Sequence, residues 1–300
     1  MKADIFDVES TLRKKNKKNI VDYVAANYLY ANMWHLKKFA GVDQNVFINA
    51  VLENGYETSG ELYAPEIMHN APVIITHSQR RGSVITAATG IKTVSIGPYI
   101  EYVDDYYTEE ERGFIKNKWG RTLLLFPCHG MPAFNVKYDL EAFVKAVSYV
   151  EKDFNTIIVS LTVSDILAGW GEKYSKYGYI VVTCGQREDK DFLRRHKSII
   201  LLSDAVFANG FSTGLVNSIY LHRPVRVFKQ NIQYDANLSN YSKVDNSNED
   251  KIWDDFSCLS QNINLNMESS KQIEWVGERF GFHDVKNKDE MKKILLSYAR

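Results

Sequence analysis

A chain of 300 residues exceeds one ordinary domain and fits two of about 100–200 residues each, which excludes a peptide hormone or a lone small module. Hydrophobic residues make up 45% and charged residues 25%, a globular composition that excludes a disordered chain. The 37 basic residues equal the 37 acidic ones, so no net field favours a polyanion and no nucleic-acid partner is expected.

The chain opens with Asp4 and Asp7 where an export signal would need a basic start and an apolar run, so no signal peptide is expected. The apolar runs are of strand length, short of the 18 or more residues of a spanning helix. Next come the basic residues Arg13, Lys14, Lys15, Lys17 and Lys18, leading into Ile20, Val21, Val24, Tyr28, Met33 and Leu36. The spacing predicts a helix over 18–39. Its basic start is either a solvated helix end or a contact with anionic phospholipid, and the latter would put the protein at the inner face of the membrane. Short apolar runs at 46–52, 73–76 and 93–96, punctuated by Gly, Pro or Asn, predict strands of a small α/β domain. The change from Glu109-Glu110-Glu111 to Lys116, Lys118 and Gly120 marks the boundary, giving an N-terminal α/β domain over 1–115 and a second domain over 116–300.

From Thr122 strands and helices alternate: strand 122–126, helix 138–151, strand 156–161, helix 163–176, strand 179–183, helix 190–202, strand 205–208, helix 214–221 and strand 225–228. The strands are apolar nearly throughout, as in a parallel sheet covered on both faces, and right-handed crossovers make this a Rossmann-like, doubly wound α/β domain. The asparagine-rich stretch 230–266 reads as a long loop, and helices over 270–280 and 288–300 end the chain. Cys128, Cys184 and Cys258 lie far apart without CxxC spacing, which argues for a reducing, cytoplasmic compartment and against a disulfide framework or a zinc cluster.

Three segments at predicted strand ends carry the chemistry. After strand 205–208, Asn209-Gly210-Phe211-Ser212-Thr213-Gly214 runs into a helix, whose first amides lack acceptors and favour an anion. Ser212 and Thr213 add hydroxyl donors, and Gly210 and Gly214 let a phosphate approach the backbone, although a helix cap alone would also use Ser or Thr here. Cys128-His129-Gly130 follows the first strand and Cys184-Gly185-Gln186-Arg187 the third. Ligands of open α/β sheets bind at carboxyl strand ends, so these loops are expected to share one crevice. In it His129 would hydrogen-bond a phosphate or sugar hydroxyl, and Arg187 would offer a bidentate fork. Neither GxGxxG nor GxxxxGK[ST] stands at these turns, against a dinucleotide dehydrogenase or a P-loop NTPase.

The stretch 203–228, with Leu221-His222-Arg223-Pro224-Val225, resembles the donor-side segment of bacterial glycosyltransferases of GT-B architecture. Ile96-Gly97-Pro98-Tyr99-Ile100-Glu101-Tyr102 and Trp119-Gly120-Arg121-Thr122 extend the resemblance toward surface-polysaccharide (capsule or O-antigen) transferases, over residues 73–228. The resemblance implies two Rossmann-like domains facing a cleft, a nucleotide-activated sugar as co-substrate on the C-terminal one, a glycan or lipid-linked acceptor, and neither a metal nor another cofactor. The family's ribose-binding carboxylate has no counterpart here, where Asn217 and Ser218 stand instead. Transfer needs a base near the acceptor hydroxyl, for which the N-terminal half offers Glu53 and His77 at strand ends. Arg80 and Arg81 could bind a phosphate or carboxylate. Two other functions use the same cradle: a CDP-polyol phosphotransferase, and a non-catalytic scaffold that keeps the fold.

Overall fold

The computed structural model describes residues 5–13, 22–56, 62, 71–130, 134–236 and 247–300. In chain order, α1 (Val8–Arg13) is followed by 3-10 turns over Ala25–Ala31 and by α2 (Asn32–Ala40). Then come β1 (Val51–Leu52), β2 (Ile74–Thr76), α3 (Gln79–Thr89), β3 (Thr93–Ser95) and α4 (Glu109–Trp119). The central part comprises β4 (Thr122–Phe126), β5 (Phe134–Lys137), α5 (Leu140–Glu151), β6 (Thr156–Ser160), α6 (Val163–Leu167), α7 (Trp170–Ser175) and β7 (Ile180–Val182). The chain continues with α8 (Phe192–Leu202), β8 (Ala205–Ala208), α9 (Thr213–Tyr220), β9 (Val225–Val227), β10 (Gln233–Ala236), α10 (Ser247–Ser260), α11 (Ser270–Phe280) and α12 (Lys288–Ser297).

The architecture is α/β, with two parallel sheets in two compact units. One unit comprises Met1–Lys14, Asp105–Gln186 and Arg195–Gln272; the other comprises Lys15–Asp104, Arg187–Arg194 and Ile273–Arg300. These units interleave along the chain, whereas the sequence reading divides it once, at 115/116. Met291 and Leu295 of α12, at the far end of the chain, are buried with Leu36, Leu52, Val73 and Ile75. That apolar cluster is why the last helix counts with the first strands.

In this second unit the sheet order is β1-β2-β3. Leu52, Val73 and Ile75 face the cluster of α2 and α12, while Val51 and Ile74 face Ile85 of α3. β1 and β2 are buried on both faces and so show no alternation in sequence. Helix α3 starts at Gln79, where the Ser78 hydroxyl caps it by accepting Arg81 N–H at 3.2 Å. Of the helix expected over 18–39, residues 18–21 lie outside the described residues, and the rest comprises the 3-10 turns over Ala25–Ala31 and α2. Tyr30 and Ala31 have φ of +58° and +59°, and the Tyr30 N–H leaves the helical pattern to reach Arg187 O at 2.6 Å.

In the first unit the order is β7-β6-β4-β8-β9, all parallel. Leu123, Leu125, Val159 and Phe207 meet Phe143 and Val147 of α5 on one face. The expected helix 163–176 is two helices, parted where Gly169 takes φ +81°. The expected loop 230–266 contains β10, antiparallel to β5, and α10.

Candidate functional site

The five-stranded sheet fixes where a ligand can sit. From β4 the chain winds outward through β6 to β7, then returns to lay β8 against the other side of β4 and continues to β9. The reversal lies between β4 and β8, whose last residues, Phe126 and Ala208, are register partners. At such a switch point open α/β sheets bind their ligands, beyond the strand ends and beside the two following loops. Here those loops are 127–130 and 209–212.

Local hydrogen bonds shape both. Asn209 is fully buried, and its Oδ1 accepts the Cys128 N–H at 2.6 Å, tying the loops together. Asp165 anchors the first loop from the start of α6: Oδ1 accepts Gly130 N–H at 2.9 Å and Oδ2 accepts the Thr162 hydroxyl at 2.7 Å. The second loop enters α9 through Ser212, whose extended backbone is that of an N-cap but whose side chain makes no capping hydrogen bond. Ser212 is half-buried and Thr213 exposed. The first turn of α9 therefore carries its helix-end charge without a side-chain oxygen from its own cap.

The glycines serve the chain's own packing. A Cβ on Gly214 would lie 3.1 Å from the Phe126 ring, and one on Gly210 would lie 3.0 Å from Cys128 Cβ. Their small size seats α9 and its loop on the end of β4, so the space read from sequence as room for a phosphate is filled by Phe126 and Cys128. Gly185, at the end of the edge strand β7, has φ +82°, and its Cβ would meet Thr11 of α1 at 2.9 Å.

His129 is half-buried, and burial holds its pKa below the usual value, partly opposed by the Asp165 carboxylate. It is a neutral hydrogen-bonding group at pH 7. Burial pushes the Cys128 thiol up to about 11; its Sγ lies 3.0 Å from the Tyr234 hydroxyl. Sequence reasoning missed Asp165, although the Thr162-x-x-Asp165 spacing is a capping signal, and it missed His196 of α8, which stands against Phe126 with ring centroids 5.7 Å apart.

Arg187 belongs to the other unit, and its Nε pairs with Glu188 at 3.1 Å. In that unit Glu53 and His77 follow β1 and β2 as expected. The Glu53 side chain is fully buried, 2.5 Å from Arg81 Nε through Oε1, and its Oε2 accepts the Thr76 hydroxyl. Arg81 is thus committed to a buried ion pair, where the sequence reading offered it to a phosphate. His77 is buried between Tyr56 and Phe280, and burial, with the Arg81 charge second, holds its pKa down at about 3. Neither of its ring nitrogens has a hydrogen-bond partner among the described residues. Asp284 fills the start of α3, accepting Gln79 N–H at 2.9 Å. Among the described residues no cluster of side chains is arranged to hold a metal, and no helix is long and apolar enough to cross a membrane.

No protein family model matches the chain, and no curated protein does. Among solved structures the chain is similar to the wall teichoic acid polymerase TagF, at 14% identity over 76% of this chain and 57% of that one, with a TM-score of 0.44. It is also similar to the glycosyltransferase SnogD from Streptomyces nogalater, at 10% identity over 92% of this chain and 84% of that one, with a TM-score of 0.34. The chain spans little more than half the length of the TagF structure.

Proposed function

We propose that the crevice beyond β4 and β8 binds the diphosphate of a nucleotide-activated sugar, and that the protein is a GT-B-type glycosyltransferase acting on a glycan or lipid-linked acceptor in surface-polysaccharide or lipopolysaccharide assembly. The observation that carries this reading is the first turn of α9, which meets the switch point with no cap from Ser212. When the acceptor oxygen attacks the anomeric carbon, the bond from that carbon to the phosphate oxygen breaks and the nucleoside diphosphate departs with the electron pair. The α9 amides, the Ser212 and Thr213 hydroxyls and the neutral His129 are donors for that growing charge. Asn209 and Gly130 hold the loops in shape, and Gly214 sets the distance of the helix from β4. The acceptor proton is assigned to His77 in preference to Glu53, because both Glu53 oxygens carry hydrogen bonds, whereas the His77 nitrogens carry none among the described residues and Nε2 lies 4.0 Å from Glu53 Oε2.

Calorimetry with UDP, GDP and CDP tests the donor site. Changing Ser212 and Thr213 together to Ala is expected to weaken nucleoside diphosphate binding by roughly 1–3 kcal/mol. Unchanged affinity, or no binding by the unaltered protein, would remove the reading. Turnover assays with UDP-, GDP- and CDP-linked donors then identify the bond broken: transfer of the phosphate with a polyol, from a CDP-linked donor, would make the protein a polyol phosphotransferase.

A further inference from the structure

We propose that the outer face of α4 is a self-complementary interface, on which two copies of this chain pair about a twofold axis with their α4 helices antiparallel and Phe114 against Phe114. The inference uses one compact unit alone and stands apart from the donor-site reading.

No residue of α4 is buried, yet its two faces differ. On the inner face Arg112 pairs with Asp105 at 2.8 Å and Lys116 with Asp204 at 2.6 Å, while the Trp119 ring lies 4.4 Å from that of Phe6, centroid to centroid. Glu110, Gly113, Phe114, Asn117 and Lys118 recur at helical spacing on the opposite face, and all are exposed, Phe114 to 73%. Glu110 and Lys118 have no ion-pair partner among the described residues, unlike Arg112 and Lys116. Gly113 sits in the helix interior, where glycine is the poorest choice after proline. A Cβ there would meet nothing within 4 Å, so the chain's own packing does not require glycine, whereas a second backbone coming close would.

The pattern is symmetric about its centre. Phe114 is the middle residue of Glu109–Trp119, and at about 1.5 Å per residue Glu110 and Lys118 lie about 6 Å to either side along the helix. A twofold axis beside Phe114 reverses the second helix, so each Glu110 falls opposite Lys118 of the partner subunit and the two Phe114 rings meet between the charges. A parallel pair would oppose like charges instead. The antiparallel pair also brings opposite ends of the helix dipoles together. An isologous interface needs one surface that is its own complement, and this face meets that condition. Covering Phe114 supplies the attraction, and the charge pairs fix the register. Helices about 16 Å long bury less than the roughly 1,200 Å² of a stable complex, so the dimer is weak, with a Kd on the order of 100 μM.

Sedimentation equilibrium of the whole protein from about 5 to 500 μM tests this. The unaltered chain is expected to pass reversibly from monomer to dimer. Phe114→Ser should weaken the dimer more than about tenfold while circular dichroism stays unchanged, because the ring is mostly exposed in the single chain. Glu110→Lys and Lys118→Glu each place like charges opposite one another, and each alone should weaken association about five- to tenfold. Mixed in equal amounts, the two variants restore both attractions, and the mixture should dimerise within a factor of about two of the unaltered protein. A monomer throughout this range, a dimer indifferent to all three changes, or a mixture no tighter than its components would overturn the proposal. Binding of a monomer to phosphatidylglycerol vesicles, abolished by Phe114→Ser, would assign the face to a membrane and overturn it as well. Should Phe114→Ser fail to fold, the two charge variants and their mixture decide.

Discussion

Replacing Glu53 by Gln separates a structural carboxylate from a catalytic one. Glu53 and Arg81 have side-chain exposures of 0% and 3% and an O to N separation of 2.5 Å, with Thr76 on the second oxygen. Glutamine keeps the volume and removes the charge, so the buried Arg81 guanidinium loses the Glu53 carboxylate as a partner. Breaking one partner out of a buried pair costs about 3–5 kcal/mol, against a total stability of about 5–15 kcal/mol for a domain. With a urea dependence of about 1–3 kcal/mol per molar, the unfolding midpoint should fall by on the order of 2 M. The double variant Glu53→Gln with Arg81→Met should recover much of that loss, because no uncompensated charge remains. Urea titrations followed by circular dichroism, beside turnover assays on the folded fraction, give both readouts. If Glu53→Gln unfolds like the unaltered protein yet loses about 100-fold or more in turnover, the pair is not structural and Glu53 is the base.

His77→Asn should lower turnover by roughly 100-fold or more with donor affinity intact, since general bases contribute about 10²–10⁴; normal turnover would move the role to His129 as the next candidate. His35, His77 and His196 are held at about 4, 3 and 4, each chiefly by burial, so between about pH 6.5 and 4 the unfolded chain binds more protons than the folded one. Stability is then fully present above about pH 6.5 and lost on acidification, by about 1.4 kcal/mol per pH unit for each histidine, and a flat urea midpoint from pH 7 to 4.5 would refute this. Gly281→Ala should destabilise by roughly 2–4 kcal/mol, because φ is +75° and the new Cβ would fall 2.2 Å from His77 O. Gly90→Ala, with φ +72° and open space around it, should cost only about 1 kcal/mol in the same melts.

Local sequence determined the elements of the five-stranded sheet. β4 and β8 coincide with the runs 122–126 and 205–208 because each is buried along its whole length and bounded by residues that stop a strand. The same runs, alternating with helices, dictated a parallel α/β unit, and the loops 127–130 and 209–214 were legible as strand-end loops for the same reason. Where a residue's conformation depends on a distant partner, local patterning misled. Tyr30 sits within a helix-forming run, yet its N–H bonds Arg187. The pairing of β5 with β10 joins segments about a hundred residues apart and leaves no periodic trace. In α10 the buried face is Phe256 with Ser257 and Ser260, whose small polar side chains hide the helical period.

The site divides in the same way. The N-terminus of α9 and the histidine after β4 are visible in sequence because turn chemistry is local. Only tertiary structure decided that Phe126 and Cys128 occupy the space beside Gly214 and Gly210, that Arg81 and Thr76 claim Glu53, and that Cys184 meets His196. It also decided that α12 packs against α2, across most of the chain. Each is a contact between residues of different elements, set by shape and burial, which the spacing of residues along the chain does not encode.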